Sequence, residues 1–276
     1  MVLELFTKNR NPFIIFSIGF IYASLGFILA RTYFYNNIST AMVFLTSLAC
    51  FYMIYTMIKK EEKYDLNLKK ESKILKKHFH LIILFMMLYL GFFSAFFMFG
   101  LILSQDTVSH IFEDQRDAIS SINSQISGSA ISDNTMINIF SHNLLVLFIF
   151  FFFSFLFGAG AISLLVHNAS VGGFFVGNFV KVQLLTYSKF SSFILGMLRY
   201  FPHAIFEFSA FFMSAIAGGI ISVALVKYHY KSKHFFNVIK DVGTVLGISI
   251  LILFFASFVE VYITPNLVGL FSKILI

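Results

Sequence analysis

Four polar side chains lie inside long apolar segments of the sequence, where charge is costly: Arg199, His203, Glu207 and Glu260. A charged group within a bilayer costs at least ~2.5–3.5 kcal/mol on insertion scales, so such groups usually face the bundle interior and have partners. His203 and Glu207 are four residues apart and therefore share one face of a helix. If a helix begins at Pro202 and the last span ends at Thr264, where Pro265 closes it, Glu207 and Glu260 each lie roughly 6–8 Å below the outer membrane boundary. We therefore predict one buried polar cluster in a single layer.

Three uses of this cluster fit the residue types. It locks the fifth, sixth and seventh helices together, or it binds a transported solute, proton or ligand, or it holds a metal. A His-x3-Glu pair with one further Glu supplies three metal ligands at best. The sequence contains no Gly-x-Ser-x-Gly, His-Glu-x-x-His or strand-bound nucleotide loop. We therefore expect no catalytic residue, no enzyme activity, no metal and no cofactor.

The elements that position these residues must be membrane helices. Hydrophobic residues make up 58% of the 276 residues and charged residues 12%, against about 25% charged in a soluble domain. The apolar residues form runs of about 18 or more, which is the length of a transmembrane helix. The composition predicts an all-α polytopic transmembrane bundle with about seven crossings. The partner that it implies is the lipid bilayer, and the net charge of +7 reflects topology, not nucleic-acid binding.

The chain divides into three predicted regions. Residues 1–58 form a transmembrane hairpin, 59–78 a basic cytoplasmic connector, and 79–276 a membrane core with an acidic outer loop at 104–141. Within the core, the apolar stretches of 168–201 are short and interrupted by Gly, Asn, Lys and Gln. Irregular backbone at membrane depth is tolerated inside protein or along a wet cavity. We predict one discontinuous or re-entrant crossing there, with Pro202 opening the helix that follows.

The basic residues predict the orientation. The N-terminus and the 59–77 and 227–240 segments are basic, whereas 104–141 carries five acidic residues and one Arg. Basic loops stay in the cytoplasm. The N-terminus is therefore expected in the cytoplasm and, after seven crossings, the C-terminus outside.

A second set of residues is predicted to break helices or to let helices pack closely. Asn and Gly end helices readily, and small residues allow close approach of membrane helices. This set comprises Asn143, Asn168, Gly172, Gly173, Pro202, Gly218 and Gly219.

Three stretches resemble one family. The segment Pro202-His203-Ala204-Ile205-Phe206-Glu207-Phe208-Ser209-Ala210 is similar to the Pro-His-Gly-x-x-Glu-Leu-Pro-Ala signature of the stage II sporulation protein M family. The stretch 143–172 resembles its Asn-led span that ends in Asn-Gly-x-x-x-Gly, and 255–265 resembles its closing Ala-x-x-Glu-x-x-x-Thr-Pro span. Order and spacing agree across roughly 79–276. Ala169 and Ala204 stand where the family prefers Gly, and Ser209 where it prefers Pro.

The resemblance implies a membrane bundle and singles out Asn168, Gly172, Pro202, His203, Glu207 and Glu260. In spore formers, the family's namesake belongs to the engulfment machinery and helps to localise wall-degrading enzymes, but the family also occurs in organisms that make no spores. We expect a non-catalytic membrane scaffold that recruits a membrane or extracytoplasmic protein partner. The alternative is a transporter or channel for a small solute, ion or lipid that uses the polar cluster. Small-residue faces also permit a homo-oligomer.

Overall fold

In a computed structural model, described for residues 11–65, 74–104, 107, 111–116, 133–157, 161–227 and 232–274, the chain is helical. These ranges contain eight α-helices and one π-helical segment, and no strand. The helices are α1 (Pro12–Tyr33), α2 (Ile38–Asp65), α3 (Ile74–Ile102), α4 (Asp133–Phe157), α5 (Ala161–Gln183), α6 (Lys189–Lys227), α7 (Lys233–Phe258) and α8 (Thr264–Ile274), with the π-helical segment Val259–Ile263 between α7 and α8.

Six helical segments are long and apolar enough to cross a membrane, and α2 adds the shorter apolar stretch Ile38–Ile54. The predicted all-α membrane bundle is confirmed. Part of the basic connector (66–73) and most of the acidic loop (105–106, 108–110 and 117–132) lie outside the described residues.

The N-terminal hairpin packs into the same hydrophobic core as the rest of the bundle. A side chain at Gly19 of α1 would come within 2.6 Å of the Leu88 carbonyl oxygen on α3. A side chain at Gly91 of α3 would in turn meet the backbone of α1 at Phe16. The two glycines thus bring the backbones of α1 and α3 into contact, as small residues do between membrane helices.

The region 168–201 differs from the sequence expectation. Helix α5 continues through Asn168, Gly172 and Gly173 to Gln183 without a break. The physical reason is packing: a side chain at Gly173 would come within 2.6 Å of the Phe93 carbonyl oxygen on α3. These glycines serve close helix approach and do not end the helix.

Helix α6 begins earlier than predicted. Ser188 caps it, because its hydroxyl accepts a hydrogen bond from the Ser191 backbone N–H at 3.2 Å. The helix then runs through Pro202, which lies in its interior and does not open it. With 39 residues, α6 is roughly 58 Å long, and it packs against α4, α5 and α7.

The end of the last crossing also differs from expectation. We predicted that Pro265 closes the helix, whereas the chain continues through the π-helical segment into α8. Proline suits the first turn of a helix, where its missing N–H is not needed. The π-helical segment directly before it widens the backbone where the proline ring would otherwise meet the carbonyl of Val261.

Candidate functional site: a carboxylate pair inside the bundle

The centre of the site is a hydrogen bond between α4 and α6. The Asn143 side-chain amide donates to Glu207 Oε1 at 2.5 Å. Both residues are half-buried. The partner that holds this carboxylate is therefore a neutral amide and not a cation.

Glu260 joins this centre from the π-helical segment. Glu207 and Glu260 lie close enough for their charges to interact, although they are on different elements. Glu260 is half-buried. Because π-helical turns occur often at functional sites, the irregular backbone here is consistent with a positioned side chain. We call Asn143, Glu207 and Glu260 the acid centre.

Two tyrosines form one wall of the acid centre. The hydroxyls of Tyr89 on α3 and Tyr200 on α6 lie 2.8 Å apart and share a hydrogen bond. Tyr200 is near enough to both Glu207 and Glu260 for an electrostatic interaction. A side chain at Gly172 of α5 would collide with the Tyr200 hydroxyl. The glycine thus leaves the space that this hydroxyl occupies.

Two polar atoms beside the acid centre are buried without a hydrogen-bond partner among the described residues: His203 Nδ1 and Thr264 Oγ1. His203 is 9% exposed and Thr264 5%. The His203 ring packs edge-on against Tyr200, with 5.8 Å between the ring centroids. Buried polar atoms are normally paired, so each of these two atoms requires an explanation.

Arg199 occupies a different place from the acid centre. Its side chain is exposed, and its guanidinium lies over the rings of Phe175 and Phe179 on α5. Its charge still interacts with His203, one turn further along α6. Of the four residues predicted to cluster, Glu207 and Glu260 come together with His203 beside them, and Arg199 lies at the edge.

The position of the cluster along α6 differs from the expectation because α6 begins at Lys189 and not at Pro202. Glu207 is roughly 27 Å along α6 from that start. Gly172, which faces Tyr200, lies at the middle of α5. Asn143 and Glu207 therefore lie in the interiors of α4 and α6, and Glu260 lies where α7 passes through the π-helical segment into α8.

The residues predicted to break or pack helices have mixed placements. Gly218 lies against the Phe151 backbone of α4, and a side chain at Gly219 would have the Ser154 hydroxyl 3.6 Å away. Asn168 is half-buried within α5. Asn143 was predicted to act in helix ends or packing, and the structure instead makes it the hydrogen-bond donor to Glu207.

Within the described part of the chain, no group of three or more His, Cys, Asp or Glu side chains is arranged to hold a metal ion. The arrangement suits uptake of a small cation better, because Glu207 has a neutral amide as its hydrogen-bond donor and a second carboxylate, that of Glu260, near it. A proton or a monovalent cation would lower the electrostatic cost of keeping both carboxylates in the bundle.

Sequence reasoning missed Tyr89 and Tyr200. A signal was present: each is a tyrosine inside a Phe-rich apolar helix, and a buried tyrosine hydroxyl usually finds a partner. The sequence does not show that the two tyrosine hydroxyls are hydrogen-bonded to each other, because the two residues are 111 positions apart.

Comparisons with known proteins agree with this architecture. The chain is 33% identical over 133 residues to an uncharacterized protein of Methanocaldococcus jannaschii, and the match covers 47% of this chain and 71% of that protein. No solved structure matches the chain. The family described as Stage II sporulation protein M matches residues 80–265, which include α4 to α7 and every residue of the acid centre. The chain therefore belongs to the stage II sporulation protein M family.

Proposed function

We propose that this membrane protein is a non-enzymatic carrier that binds a proton or a small monovalent cation at its acid centre. The observation that carries the proposal is that Glu207 and Glu260 lie near each other where α6 packs against the π-helical segment, while the hydrogen bond to Glu207 comes from the neutral Asn143. Two carboxylates of like charge repel each other in a medium of low dielectric constant. A bound cation relieves that repulsion.

The surroundings support binding over simple locking of helices. A purely structural cluster is expected to have all its polar atoms paired. Here His203 Nδ1 and Thr264 Oγ1 have no hydrogen-bond partner in the described ranges. Both residues border the acid centre, His203 one turn before Glu207 and Thr264 one turn after Glu260.

Irregular backbone in the two elements that carry Glu207 and Glu260 would allow these elements to move. Pro202 lies in α6 between Arg199 and Glu207, and it leaves the Leu198 carbonyl without its usual intrahelical donor. The π-helical segment holds Glu260. Both elements that carry the carboxylates thus contain a local weakness in the helix backbone, which is where kinks occur.

Proteoliposomes test the proposal directly. The protein is reconstituted with a pH-sensitive dye inside, a potential is imposed, and proton entry is followed; a parallel assay follows radioactive Na⁺. We expect wild-type protein to move one of the two cations, and Glu207→Gln and Glu260→Gln to abolish that movement. Glu113→Gln serves as the matched control, since Glu113 is exposed and outside the acid centre. Equal flux in wild type and both variants, for both cations, would contradict the proposal.

A second candidate function is the membrane scaffold suggested by the family, which recruits a partner protein. The specific observation that favours it is the surface of α7. Gly243 and Gly247 are exposed, and within the described residues nothing lies within 4 Å of a side chain built at either position. Such a small-residue face suits a partner helix, from another protein or from a second copy. With the basic segments in the cytoplasm, the acidic loop would offer an outer contact surface. Crosslinking in membranes at Gly243→Cys would test it, and a lack of any crosslinked partner would count against the scaffold.

A further inference from the structure

Arg199 sits in a groove between α5 and α6 on the outside of the bundle. Its guanidinium carbon lies 5.0 Å from the ring centroid of Phe179 and 5.5 Å from that of Phe175. The two rings are one helical turn apart on α5, with 6.5 Å between their centroids. The side chain is exposed, so the groove faces the surroundings of the bundle and not its core.

The side chain points along the groove toward the turn at 184–188. Gly196 of α6 lies against Val176 and Val180 of α5, and Tyr200 lies against Gly172. The two helices are therefore antiparallel, and the Arg199 backbone is near the level of Phe175. The guanidinium is nearer to Phe179, which is roughly 6 Å from the end of α5. This is how a long basic side chain extends its charged group from apolar surroundings toward a membrane interface.

The hydrogen-bond donors of Arg199 are free to bind an anion. The Phe rings contact the guanidinium through cation–π interactions, but rings do not accept the five N–H donors in the guanidinium plane. Among the described residues, no side chain or carbonyl accepts a hydrogen bond from Arg199 or forms an ion pair with it. A guanidinium at the edge of a bilayer is stabilised best by a planar, bidentate partner such as a phosphate.

We propose that the groove between α5 and α6 binds the phosphate of an anionic phospholipid, with Arg199 as the bidentate donor and Phe175 and Phe179 against the acyl chains. This site is separate from the acid centre, and it goes beyond the cation binding proposed above. A lipid fits better than a soluble anion because apolar rings line the groove and Phe179 is roughly 6 Å from the end of α5, so acyl chains and a headgroup could be contacted together.

Native mass spectrometry of the detergent-purified full chain tests this site. The protein is incubated with equal amounts of phosphatidylglycerol and phosphatidylcholine, and the lipids retained on the protein are counted. Wild type is expected to retain one phosphatidylglycerol selectively. Arg199→Gln is expected to lower that retention about fivefold or more, since a basic side chain near an anionic surface contributes about that factor. Arg199→Lys, which keeps the charge and loses the planar fork, is expected to fall between them.

Controls distinguish this site from general surface charge and from a free anion. Arg31→Gln removes an exposed guanidinium at the end of α1 and should leave retention unchanged. Phe179→Leu keeps Arg199 but removes a ring, and it should weaken retention severalfold in a protein that still folds. Equal retention in wild type and Arg199→Gln, equal loss in Arg31→Gln, or displacement of the lipid by millimolar inorganic phosphate would each overturn the proposal.

Discussion

Two groups of polar residues lie inside this apolar bundle, and they differ in charge and in how completely their hydrogen bonds are paired. The first is the acid centre, where Glu207 accepts a hydrogen bond from the Asn143 amide and Glu260 lies near Glu207. The second surrounds Gln115, which belongs to the segment 111–116 and is completely buried. We call Ser39, Gln115 and Ser170 the glutamine network.

The glutamine network is neutral and satisfied at both ends. The Ser39 hydroxyl donates to Gln115 Oε1 at 2.5 Å, and Gln115 Nε2 donates to the Ser170 hydroxyl at 3.0 Å. The chain continues, because the Ser170 hydroxyl donates to the His167 carbonyl at 2.7 Å. Every hydrogen-bonding step joins a donor to an acceptor, which is the pattern of a group that holds helices in register.

The packing around the two regions differs in the same sense. Next to Gln115, the Phe112 ring stacks on Phe174 of α5 at 4.7 Å with an 8° angle between the rings. It also lies 6.3 Å from Phe27 of α1. Beside the acid centre, by contrast, His203 Nδ1 and Thr264 Oγ1 are left unpaired within the described ranges. The comparison fits a structural role for the glutamine network and the cation binding that we propose for the acid centre.

Placing a charge in the glutamine network should have the largest effect on stability. In Gln115→Glu, the donor to Ser170 is replaced by an oxygen, and the Ser170 hydroxyl hydrogen is already used for His167. We expect the free energy of unfolding to fall by about 3–5 kcal/mol, the cost of an uncompensated buried charge. Denaturant or thermal unfolding in detergent measures it.

The control for this prediction is the same amide-to-acid change at an exposed position. Asn37→Asp, between α1 and α2, should change the free energy of unfolding by no more than about 0.5 kcal/mol. If Gln115→Glu were as stable as Asn37→Asp, the glutamine network would not be a structural lock.

A methyl group at Gly172 should have an intermediate effect, through the tyrosine wall of the acid centre. The added carbon would collide with the Tyr200 hydroxyl and push it away from Tyr89. We expect Gly172→Ala to cost about 1–3 kcal/mol in the free energy of unfolding, as overpacking does. Thermal unfolding of the purified variant measures the loss.

Gly219→Ala is the matched control, because its added carbon would meet the Ser154 hydroxyl at an ordinary 3.6 Å. Its higher helix propensity should make it neutral or slightly stabilising. The cost of Gly172→Ala should also shrink in a Tyr200→Leu background, since residues in contact are not additive. An unchanged cost in that background would place the strain elsewhere.

The sequence predicted the membrane bundle well because length and apolar composition decide it. The apolar runs that form α1, α3 and α4 could be recognised as membrane spans from the sequence. Glu207 and Glu260 could be recognised as unusual because charged residues are rare in such segments. The membrane solvent imposes this pattern on the sequence directly, so no tertiary information was needed.

The path of the chain through 168–201 was harder to predict, because Gly has two uses. Gly172 and Gly173 could have ended a helix, and the structure uses them for contact with Tyr200 and with α3. Pro202 has a similar ambiguity, since proline both starts helices and is tolerated inside membrane helices. Which use applies depends on the residues that pack against the glycine or the proline in the folded protein. A single sequence does not show which residues those are.

The partners within the acid centre were the least predictable part. Asn143 reaches Glu207 from 64 positions away, and nothing local in α4 distinguishes a packing asparagine from a donor to a carboxylate. The helix start that the depth estimate used was wrong for a related reason, because Ser188 caps α6 and Pro202 lies in its interior.

Removing a charge from the acid centre should have the smallest effect on stability, and this sharpens the comparison most. In Glu207→Gln, the side chain still accepts the Asn143 hydrogen bond through its amide oxygen, and the repulsion from Glu260 disappears. We expect the free energy of unfolding to change by no more than about 1 kcal/mol, or to rise, because replacing a buried charge by a neutral group of equal shape relieves its desolvation cost. Thermal unfolding of the variant measures this change, and Glu260→Gln should behave alike.

A loss above about 2 kcal/mol in either variant would mean that the carboxylates lock the helices as Gln115 does. A small change, together with lost cation flux in the same protein, separates a binding group from a structural one, since only the binding group is dispensable for folding and required for function.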